Sequence, residues 1–486
     1  MQYHSTRGLA PCVDSADAVL LGLASDGGLY LPQTIPAFDW EKCVTKDTFG
    51  MATQILSAFL PDIPEMEDLV RRAYAGKFRT EDLTPTTAVG DFTVLELFHG
   101  PTAAFKDVAL CMLPQLMTAA KKVKGMQKDI LILTATSGDT GKAALEGFRD
   151  VPGVGICVFY PHGGVSKVQR AQMVTQQGNN VHVSGVEGYF DDAQTGVKRI
   201  FAACQKEKLL ADKGFQLSSA NSINIGRLAP QVTYYFKAYR DLLNRGQITM
   251  GQPVNFCVPT GNFGDILAGY LAKLLGLPVG RLICASNSNK VLTDFIRTGV
   301  YDRNRPLHKT ISPSMDILVS SNLERLLYLL SEGDTDIVAA LMKDLDTKGS
   351  YTVSQELLKK LQEVFWADYC TDEQSMQTIG EVWRKHNYLC DPHTATGWAV
   401  AESYQAATGD DRPMVVLATA SAYKFPGAVL QAIGGECQED EFAQMDTLQA
   451  ITQQPIPANL ASLRELPERH TGVIAKEQML TFVLDR

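Results

Sequence analysis

The order of hydrophobic and polar residues is regular in the middle of the chain, where short apolar runs alternate with segments of helical spacing. The runs are unbroken, which is typical of parallel strands buried on both faces. Strands are predicted over residues 130–136, 155–161, 179–185, 254–259, 282–286 and 414–420. Helices are predicted between most of them, for example over residues 142–148, 229–244 and 266–275. This order predicts an α/β fold with a doubly wound parallel sheet.

Three segments depart from this rhythm and suggest the domain organisation. Residues 1–90 have a mixed pattern and are predicted to form a small N-terminal domain. Residues 322–390 are rich in Leu, Glu, Lys and Asp at helical spacing, which predicts a helical insertion before the last sheet strand. Residues 436–486 are predicted to be a peripheral C-terminal tail, which leaves 91–435 as the main α/β core.

Composition narrows the possible functions. The 486 residues are 45% hydrophobic and 20% charged, as in ordinary globular proteins. The net charge of −9 argues against nucleic-acid or anionic-membrane binding by the chain as a whole. There is no signal-peptide pattern and no long apolar run, so we expect a soluble, cytoplasmic protein. Neither the ten cysteines nor the eight histidines have metal-ligand spacing, so no metal site is predicted.

The sequence does not match two common nucleotide-binding motifs. Residues 137–142 resemble a Walker loop, but Thr136 and Ala143 stand where the pattern needs Gly and Ser or Thr. No GxGxxG sequence follows a predicted strand. The motifs therefore give no support to an ATPase or to a nicotinamide-dependent enzyme.

The first positive signal is a glycine loop, PTGNFGD (259–265), between a predicted strand and a predicted helix. Gly261 and Gly264 allow the backbone to approach a ligand closely, and the N-terminus of a helix suits a phosphate. A tight turn capped by Asp265 explains the same residues. If an anion binds here, we expect the Asp265 carboxylate to cap the helix facing away from it.

A second loop, SGDTG (137–141), has the same strand-to-helix arrangement. Its two glycines and its small polar side chains suit a small anion such as a carboxylate. Taken alone, an ordinary capped turn is the favoured explanation. Two such loops on neighbouring strand ends are more specific than either one.

The third signal is Lys106 in the segment FHGPTAAFKD (98–107), next to Ala103, Ala104 and Phe105. Desolvation in such surroundings keeps a lysine amine partly neutral and able to form a Schiff base. The alternative, a solvated surface lysine, is much the commoner case.

These segments, with several others in the same order, resemble the motifs of threonine synthases. The matching segments are YHSTRG (3–8), DGGLYLP (26–32), LFHGPTAAFKD (97–107), TATSGDTG (134–141), ANSINIGRLAPQ (220–231), PTGNFGD (259–265), SPSMDILVSSNLERLLY (312–328), DPHTATG (391–397) and LATASAYKF (417–425). The resemblance extends to about residue 430 and is to the longer branch of the family, as in enteric bacteria and fungi.

The resemblance implies the fold-type II pyridoxal 5'-phosphate (PLP) architecture, like that of the tryptophan synthase β subunit, with an active site between two α/β domains. Lys106 would carry the cofactor, and Thr419 would face its pyridine nitrogen. The implied residues around the cofactor phosphate are Gly261, Asn262, Phe263, Gly264 and Asp265. The last motif departs from the family form LSTAHPAKF at Ser421, Ala422 and Tyr423, which puts substrate contacts near 421–423 in doubt.

The implied reaction is the last step of threonine biosynthesis, in which O-phospho-L-homoserine and water give L-threonine and phosphate. Lys106 would serve as the base at Cα and Cβ. The enzyme would be a monomer or a small homo-oligomer. The candidates for the substrate carboxylate are Ser137, Asp139 and Thr140, and those for the substrate phosphate are Ser222, Asn224, Arg227 and Lys424. An interdomain salt bridge is an equal alternative for Arg227, and a helix cap for Asp139.

The sequence is also compatible with other functions. The nearest is a phospho-lyase of the same family that releases 2-oxobutyrate, ammonia and phosphate. A dehydratase or cysteine synthase is less favoured, because those relatives usually carry Asn where Asp139 stands. A catalytically silent binding protein on this scaffold is disfavoured by the retention of Lys106, Thr419 and both glycine loops.

We predict that the Lys106→Ala variant loses both the visible absorbance of bound PLP and all turnover, because no other amine in the motif can replace this one. Absorbance spectra and activity assays of the two purified proteins test this. A wild-type protein that stays colourless with added PLP would contradict the assignment, as would a coloured and active variant.

Overall fold

The unbroken apolar runs form the strands of two largely parallel sheets. The structure is a computed structural model that describes residues 1–136, 138–207, 209–210 and 213–486. The strands are β1 Gln2–Ser5, β2 Val13–Asp14, β3 Tyr30–Pro32, β4 Thr86–Val89, β5 Phe92–Glu96, β6 Asp129–Ala135, β7 Val154–Pro161, β8 Val181–Val186, β9 Phe215–Ser218, β10 Val254–Pro259, β11 Val279–Ser286, β12 Val300–Asp302, β13 Ser350–Thr352, β14 Phe365–Tyr369, β15 Met414–Ala418 and β16 Val473–Ile474.

Helices cover the faces of both sheets and build the regions between them. They are α1 Ser15–Leu21, α2 Trp40–Val44, α3 Thr48–Phe59, α4 Met66–Tyr74, α5 Lys106–Val123, α6 Asp139–Phe148, α7 Lys167–Val174, α8 Phe190–Glu207, α9 Ile225–Leu228, α10 Val232–Asn244, α11 Gly264–Leu274, α12 Val291–Thr298, α13 Leu323–Leu330, α14 Thr335–Lys348, α15 Gln355–Val364, α16 Asp372–His386, α17 Pro392–Thr408, α18 Pro426–Ala432, α19 Glu441–Thr452, α20 Ala458–Ala461 and α21 Met479–Leu484. No helix in these ranges is both long and apolar enough to cross a bilayer.

The large sheet has the strand order β14-β11-β10-β15-β5-β4 and is parallel except for its edge strand β4. The small sheet has the order β16-β8-β7-β6-β9 and is parallel throughout. Every residue of β10 and of β15 is buried, as the unbroken apolar pattern predicts. The predicted α/β class is therefore confirmed, with the parallel strands divided between two sheets.

The segment predicted as a helical insertion also contributes a strand. Within this segment, helix α15 ends at Val364, and Phe365–Tyr369 forms β14, which pairs with β11 at the edge of the large sheet. A five-residue strand directly after an amphipathic helix continues the same apolar spacing, so the two patterns could not be separated in the sequence.

The C-terminal region is also more closely integrated than a peripheral tail. Strand β16 pairs with β8 and extends the small sheet. Met479 and Val483 of α21 are buried against the apolar face of that sheet. This region covers an edge and a face that would otherwise be exposed.

The N-terminal region packs against the rest of the chain through polar as well as apolar contacts. Its small antiparallel sheet has the order β2-β1-β3. Arg7 donates two hydrogen bonds to the buried Glu324 carboxylate, at 2.9 and 3.0 Å, and the Thr6 hydroxyl donates a third at 2.6 Å. The N-terminal strand is thus fixed to the start of α13.

The strand order brings the predicted loops together. The loop with Lys106 follows β5, the residues around Thr419 follow β15, and the glycine loop 260–263 follows β10. These three strands are neighbours in the large sheet, and the loop before Asp139 follows β6 of the small sheet. Ligands of α/β proteins bind beyond the carboxyl ends of such strands.

Candidate active site

Lys106 is the first residue of α5, and backbone hydrogen bonds hold its loop to the end of β15. The Phe105 N–H donates to the Thr419 carbonyl at 2.8 Å, and the Ser421 N–H donates to the Ala103 carbonyl at 3.1 Å. Ala103 has a φ of 57°, which marks the sharp turn before the helix. The lysine therefore sits at a fixed place beside the predicted cofactor residue Thr419.

The Lys106 side chain is half-buried, and its amine has no hydrogen bond or ion pair within the described ranges. Its Nζ lies 4.5 Å from the centre of the Phe105 ring. Burial lowers the pKa of this amine, the charges of Lys424 and Arg227 lower it further, and the carboxylates of Asp139 and Asp265 oppose them. The amine is thus more readily neutral, and so nucleophilic, than an exposed lysine.

The glycine loop leaves backbone donors free. The N–H groups of Gly261, Asn262 and Phe263 have no acceptor among the described residues. The carbonyl of Gly261 accepts from the Ser320 hydroxyl at 2.7 Å, and that of Asn262 accepts from Asn322. The loop leads into the eleven-residue helix α11. Free N–H groups at a helix N-terminus suit a phosphate.

The two glycines of this loop differ in their surroundings. A Cβ atom at Gly261 would lie 2.6 Å from the Ser314 carbonyl oxygen, so the residue is needed for close backbone packing. A Cβ at Gly264 would be 3.5 Å from the nearest side-chain atom, of Asn322, which is an ordinary contact. Neither glycine has a positive φ, whereas Phe263 does, at 62°.

Asp265 is the second residue of α11. It was predicted to cap this helix, but it does not. Its Oδ1 accepts from the adjacent Ile266 N–H at 2.8 Å, and the residue before the helix, Phe263, makes no side-chain cap. Burial raises the pKa of Asp265 to about 7. Partial protonation therefore reduces the repulsion between this carboxyl and a bound phosphate.

Asp139 and Lys424 form a buried ion pair across the cleft between the two sheets. Lys424 Nζ is 2.7 Å from Asp139 Oδ1, and both side chains are almost fully buried. The amide of Gln169 also donates to Asp139 Oδ1, at 3.2 Å, and Lys424 Nζ donates to the Thr102 carbonyl at 3.1 Å. Asp139 lies inside the first turn of α6 and makes no cap hydrogen bond, so the helix-cap alternative for it is wrong.

The Asp139 carboxylate of this ion pair keeps its negative charge. Burial alone would raise the pKa of Asp139, but Lys424 and Lys106 outweigh it and hold the pKa well below the usual range. The carboxylate therefore stays ionised and is a weak proton acceptor. Its main physical effect is to compensate the buried Lys424 ammonium.

Arg227 is buried and lacks an anionic partner. Its Nη1 donates to the Ala220 carbonyl at 2.5 Å, while its buried Nε has no partner. Within the described ranges it forms no ion pair, so the salt-bridge alternative finds no support there. Burial lowers the pKa of Arg227 to about 10, which still leaves it charged at neutral pH. An unpaired buried guanidinium is suited to bind an anion.

The remaining predicted residues differ in whether their side chains make hydrogen bonds within the protein. The hydroxyls of Ser222, Thr140 and Thr419 have no hydrogen-bond partner in the described structure. Asn224, in contrast, caps α9 through its Oδ1 and donates from Nδ2 to the Val19 and Ser219 carbonyls. Both ends of the Asn224 amide are therefore engaged within the protein, and its predicted substrate role stays a prediction. Ser137 lies outside the described residues.

Sequence reasoning missed the polar residues that support these loops. His393 accepts the Ser314 N–H at Nε2 (3.2 Å), and its Nδ1 is 2.6 Å from Asp391 Oδ2. The two contacts fix the orientation of the imidazole ring between the 312–316 segment and the start of α17. Asn322 and His393 lie in segments that resemble the family motifs, but the loop residues that they support, Asn262 and Ser314, are at least 60 positions away in the sequence.

Two further basic and two acidic side chains act on the Lys106 amine, so that three basic and two acidic groups meet in this cleft. Lys106, Arg227 and Lys424 are its cations, and Asp139 and the partly protonated Asp265 are its acids. We call these five residues the cationic cleft. The described residues contain no group of His, Cys, Asp or Glu side chains arranged to hold a metal ion. The surplus charge and the free N–H groups fit ligands that carry phosphate.

Models of known families match most of the chain. The model "Pyridoxal-phosphate dependent enzyme" matches residues 81–420, "Threonine synthase N terminus" matches 2–74, and "Threonine synthase, C-terminal" matches 394–483. The chain belongs to the threonine synthase family of PLP-dependent enzymes. The N-terminal match ends before residue 90, and the C-terminal match begins well before residue 436.

Individual relatives are similar over most of the chain. Threonine synthase of Pseudomonas aeruginosa is 40% identical over 97% of this chain and 95% of that protein. Threonine synthase-like 1 of Macaca fascicularis is 41% identical over 86% of this chain but only 58% of that longer protein. The chain thus spans less than two thirds of the threonine synthase-like 1 relatives.

Solved structures of the family share the fold. The PLP-bound threonine synthase of Brucella melitensis is 40% identical, with a TM-score of 0.88 over 100% of this chain and 98% of that one. Yeast threonine synthase is 32% identical with the same TM-score, over 100% and 98% of the two chains. The fold-type II architecture that the sequence resemblance implied is therefore confirmed.

We predict that Asp265→Asn changes how the stability of the cofactor-free protein depends on pH. Between about pH 4 and 7 the unfolded Asp265 ionises while the folded one holds its proton, so this group costs the wild type up to about 4 kcal/mol as the pH rises. The Asn variant lacks this loss, so its stability relative to wild type should increase over that range. Urea unfolding at several pH values measures it, and parallel curves would contradict the raised pKa.

Proposed function

We propose that this protein is a PLP-dependent threonine synthase that converts O-phospho-L-homoserine and water to L-threonine and phosphate. The observation that carries the proposal is the cationic cleft, in which a half-buried lysine of lowered pKa lies among buried, undercompensated cations. A substrate with both a carboxylate and a phosphate needs such a surplus. Family membership supports the same reaction. We also propose a cytoplasmic location and a monomeric or small homo-oligomeric state.

The cleft has groups that fit each part of the cofactor. Lys106 would bind its aldehyde carbon, the N–H groups of Gly261, Asn262 and Phe263 its phosphate, and the Thr419 hydroxyl its ring nitrogen. Gly264 and Asp265 start the helix whose N-terminus faces that phosphate position. When bound, PLP supplies an electron sink that stabilises negative charge on the substrate carbons.

Lys106 is proposed as the base that moves protons at Cα and Cβ. Its lowered pKa increases the fraction of neutral amine near pH 7, and the adjacent cations help keep it low. The backbone bridges from residues 103–105 to 419–421 fix where the amine can reach. Positioning and pKa thus favour repeated proton transfer by one group.

Two parts of the cleft are proposed to bind the substrate anions. Arg227, with its unpartnered Nε, and the Ser222 hydroxyl would bind the phosphate. The N–H groups of Asp139 and Thr140 in the first turn of α6, with the Ser137 and Thr140 side chains, would bind the carboxylate. Lys424 would add positive charge from the other sheet, held in place by Asp139.

Asp139 is proposed to direct the reaction towards water addition by orienting groups rather than by taking a proton. Its strongly lowered pKa makes it a poor general base. It remains able to accept hydrogen bonds from water and to hold Lys424 in position.

Product analysis with purified protein and phosphohomoserine tests the function. We expect equal amounts of threonine and phosphate. Formation of 2-oxobutyrate and ammonia with the phosphate would instead identify a phospho-lyase. A protein that binds PLP but leaves the substrate unchanged would be a binding protein.

We predict that Asp139→Asn lowers turnover at least tenfold, about 1.4 kcal/mol in barrier, or raises the ratio of 2-oxobutyrate to threonine. It should also destabilise the fold by about 3–5 kcal/mol, because Lys424 is left buried without a counter-charge. Adding Lys424→Met should recover most of the stability but not the turnover.

The matched control is Asp336→Asn, which changes an Asp in the first turn of α14 that faces no buried lysine. It should behave like wild type in both assays. If Asp139→Asn is as stable as this control and makes threonine at the wild-type rate, the ion pair has neither of the proposed roles.

A further inference from the structure

We infer that Asn322 is a positioning residue that ties the loop proposed for the cofactor phosphate to the loop proposed for the substrate phosphate. Asn322 lies in the segment 312–328, and the proposed function gives no residue of this segment a role in the chemistry. The inference rests on the proposed function for the identity of the two anions. The structural bridge between the loops stands on the hydrogen bonds alone.

One side-chain amide contacts both loops. Asn322 is fully buried, and its Nδ2 donates to the Asn262 carbonyl at 3.1 Å and to the Ser222 carbonyl at 3.2 Å. Its backbone N–H donates to the Asn262 carbonyl as well, at 3.1 Å. An amide nitrogen has two hydrogens, so each loop receives one of them.

Arg325 fixes the orientation of this amide. Its Nη1 donates to Asn322 Oδ1 at 2.6 Å, so the amide oxygen faces the arginine and the nitrogen faces the loops. The same guanidinium donates from Nη2 to the Ile223 carbonyl at 2.5 Å and from Nε to the Tyr30 carbonyl at 3.1 Å. Burial lowers the pKa of Arg325 to about 9, which leaves it charged at neutral pH.

These hydrogen bonds are accepted by backbone carbonyl oxygens of the two loops, which are not the groups that would bind an anion. The Asn262 and Ser222 carbonyl oxygens are held by Asn322, and the Gly261 carbonyl by the Ser320 hydroxyl. Holding a carbonyl fixes the peptide plane that follows it. The N–H groups of Asn262 and Phe263 are thereby kept available for a phosphate.

The same segment is anchored to the N-terminal region. Glu324 lies between Asn322 and Arg325 in the sequence, and its carboxylate accepts hydrogen bonds from Arg7 and Thr6. The N-terminal strand therefore supports the position of Asn322, and through it both anion loops. A single amide that fixes two loops predicts that its loss weakens both anion sites together.

The test compares Asn322→Ala and Asn322→Asp with wild type. Ala removes the two bridging hydrogen bonds without adding a charge, so this variant decides the question. Asp keeps the acceptor for Arg325 and also lacks the bridging donor, but it adds a negative charge beside both loops, so its loss of affinity should be the larger one. PLP affinity is measured by absorbance titration of the cofactor-free protein. Inorganic phosphate affinity is measured by calorimetry on the PLP-saturated protein. Both affinities should fall at least tenfold in each variant.

Asn255→Ala is the matched control. Asn255 is fully buried in β10, the strand that leads to the glycine loop, but its amide bonds Asp410 and the Arg281 N–H at the opposite end. This variant should lose stability while both affinities stay within about twofold of wild type. If it loses them as Asn322→Ala does, the effect is general destabilisation and the inference is wrong.

The remaining outcomes also decide the question. Wild-type affinities in both Asn322 variants, or a change in only one affinity, would overturn the bridge between the loops. A wild-type protein that binds neither PLP nor phosphate would overturn the proposed function, and the role of Asn322 with it. These two failures are distinguishable, because the second one shows in the unmodified protein.

Discussion

The surplus of buried positive charge between the two sheets is the constraint on which the rest of the site depends. Lys106 is half-buried and Arg227 and Lys424 are buried, and of these three only Lys424 has an ion-pair partner among the described residues, Asp139. A buried cation without a partner is costly, and a fold keeps it when a ligand supplies the missing charge. Phosphate groups supply that charge and restore the balance.

The scaffold maintains this arrangement from several directions. Parallel strands end at the same edge of a sheet, which brings the loops after β5, β10 and β15 together. The ion pair between Asp139 and Lys424 then joins the small sheet to the large one across the cleft. Side chains of the segment 312–325 donate hydrogen bonds to backbone carbonyl groups of both anion loops. The cleft is thus fixed by strands, by one ion pair and by hydrogen bonds from a neighbouring segment.

Local pattern was sufficient for the strands and for the two glycine loops, because apolar runs and glycines act through adjacent residues. The resemblance of the motifs then pointed to Lys106 and Thr419. Partners far apart in the chain were beyond this reasoning. Asp139 was expected near the substrate carboxylate and Lys424 near the phosphate, but they neutralise each other. The cap that Asn224 provides for α9 was likewise not predicted. The edge strand β14 was hidden because its apolar residues continue the helix before it.

Binding of inorganic phosphate tests the central claim most directly. Calorimetry on the PLP-saturated protein, in chloride buffers of matched ionic strength, compares the wild type with Arg227→Met, which removes the buried unpaired guanidinium. If the cleft is built around undercompensated charge, the wild type binds phosphate and the variant binds it at least tenfold more weakly, about 1.4 kcal/mol. Equal affinity in the two proteins, or no binding beyond that of chloride, would contradict the account.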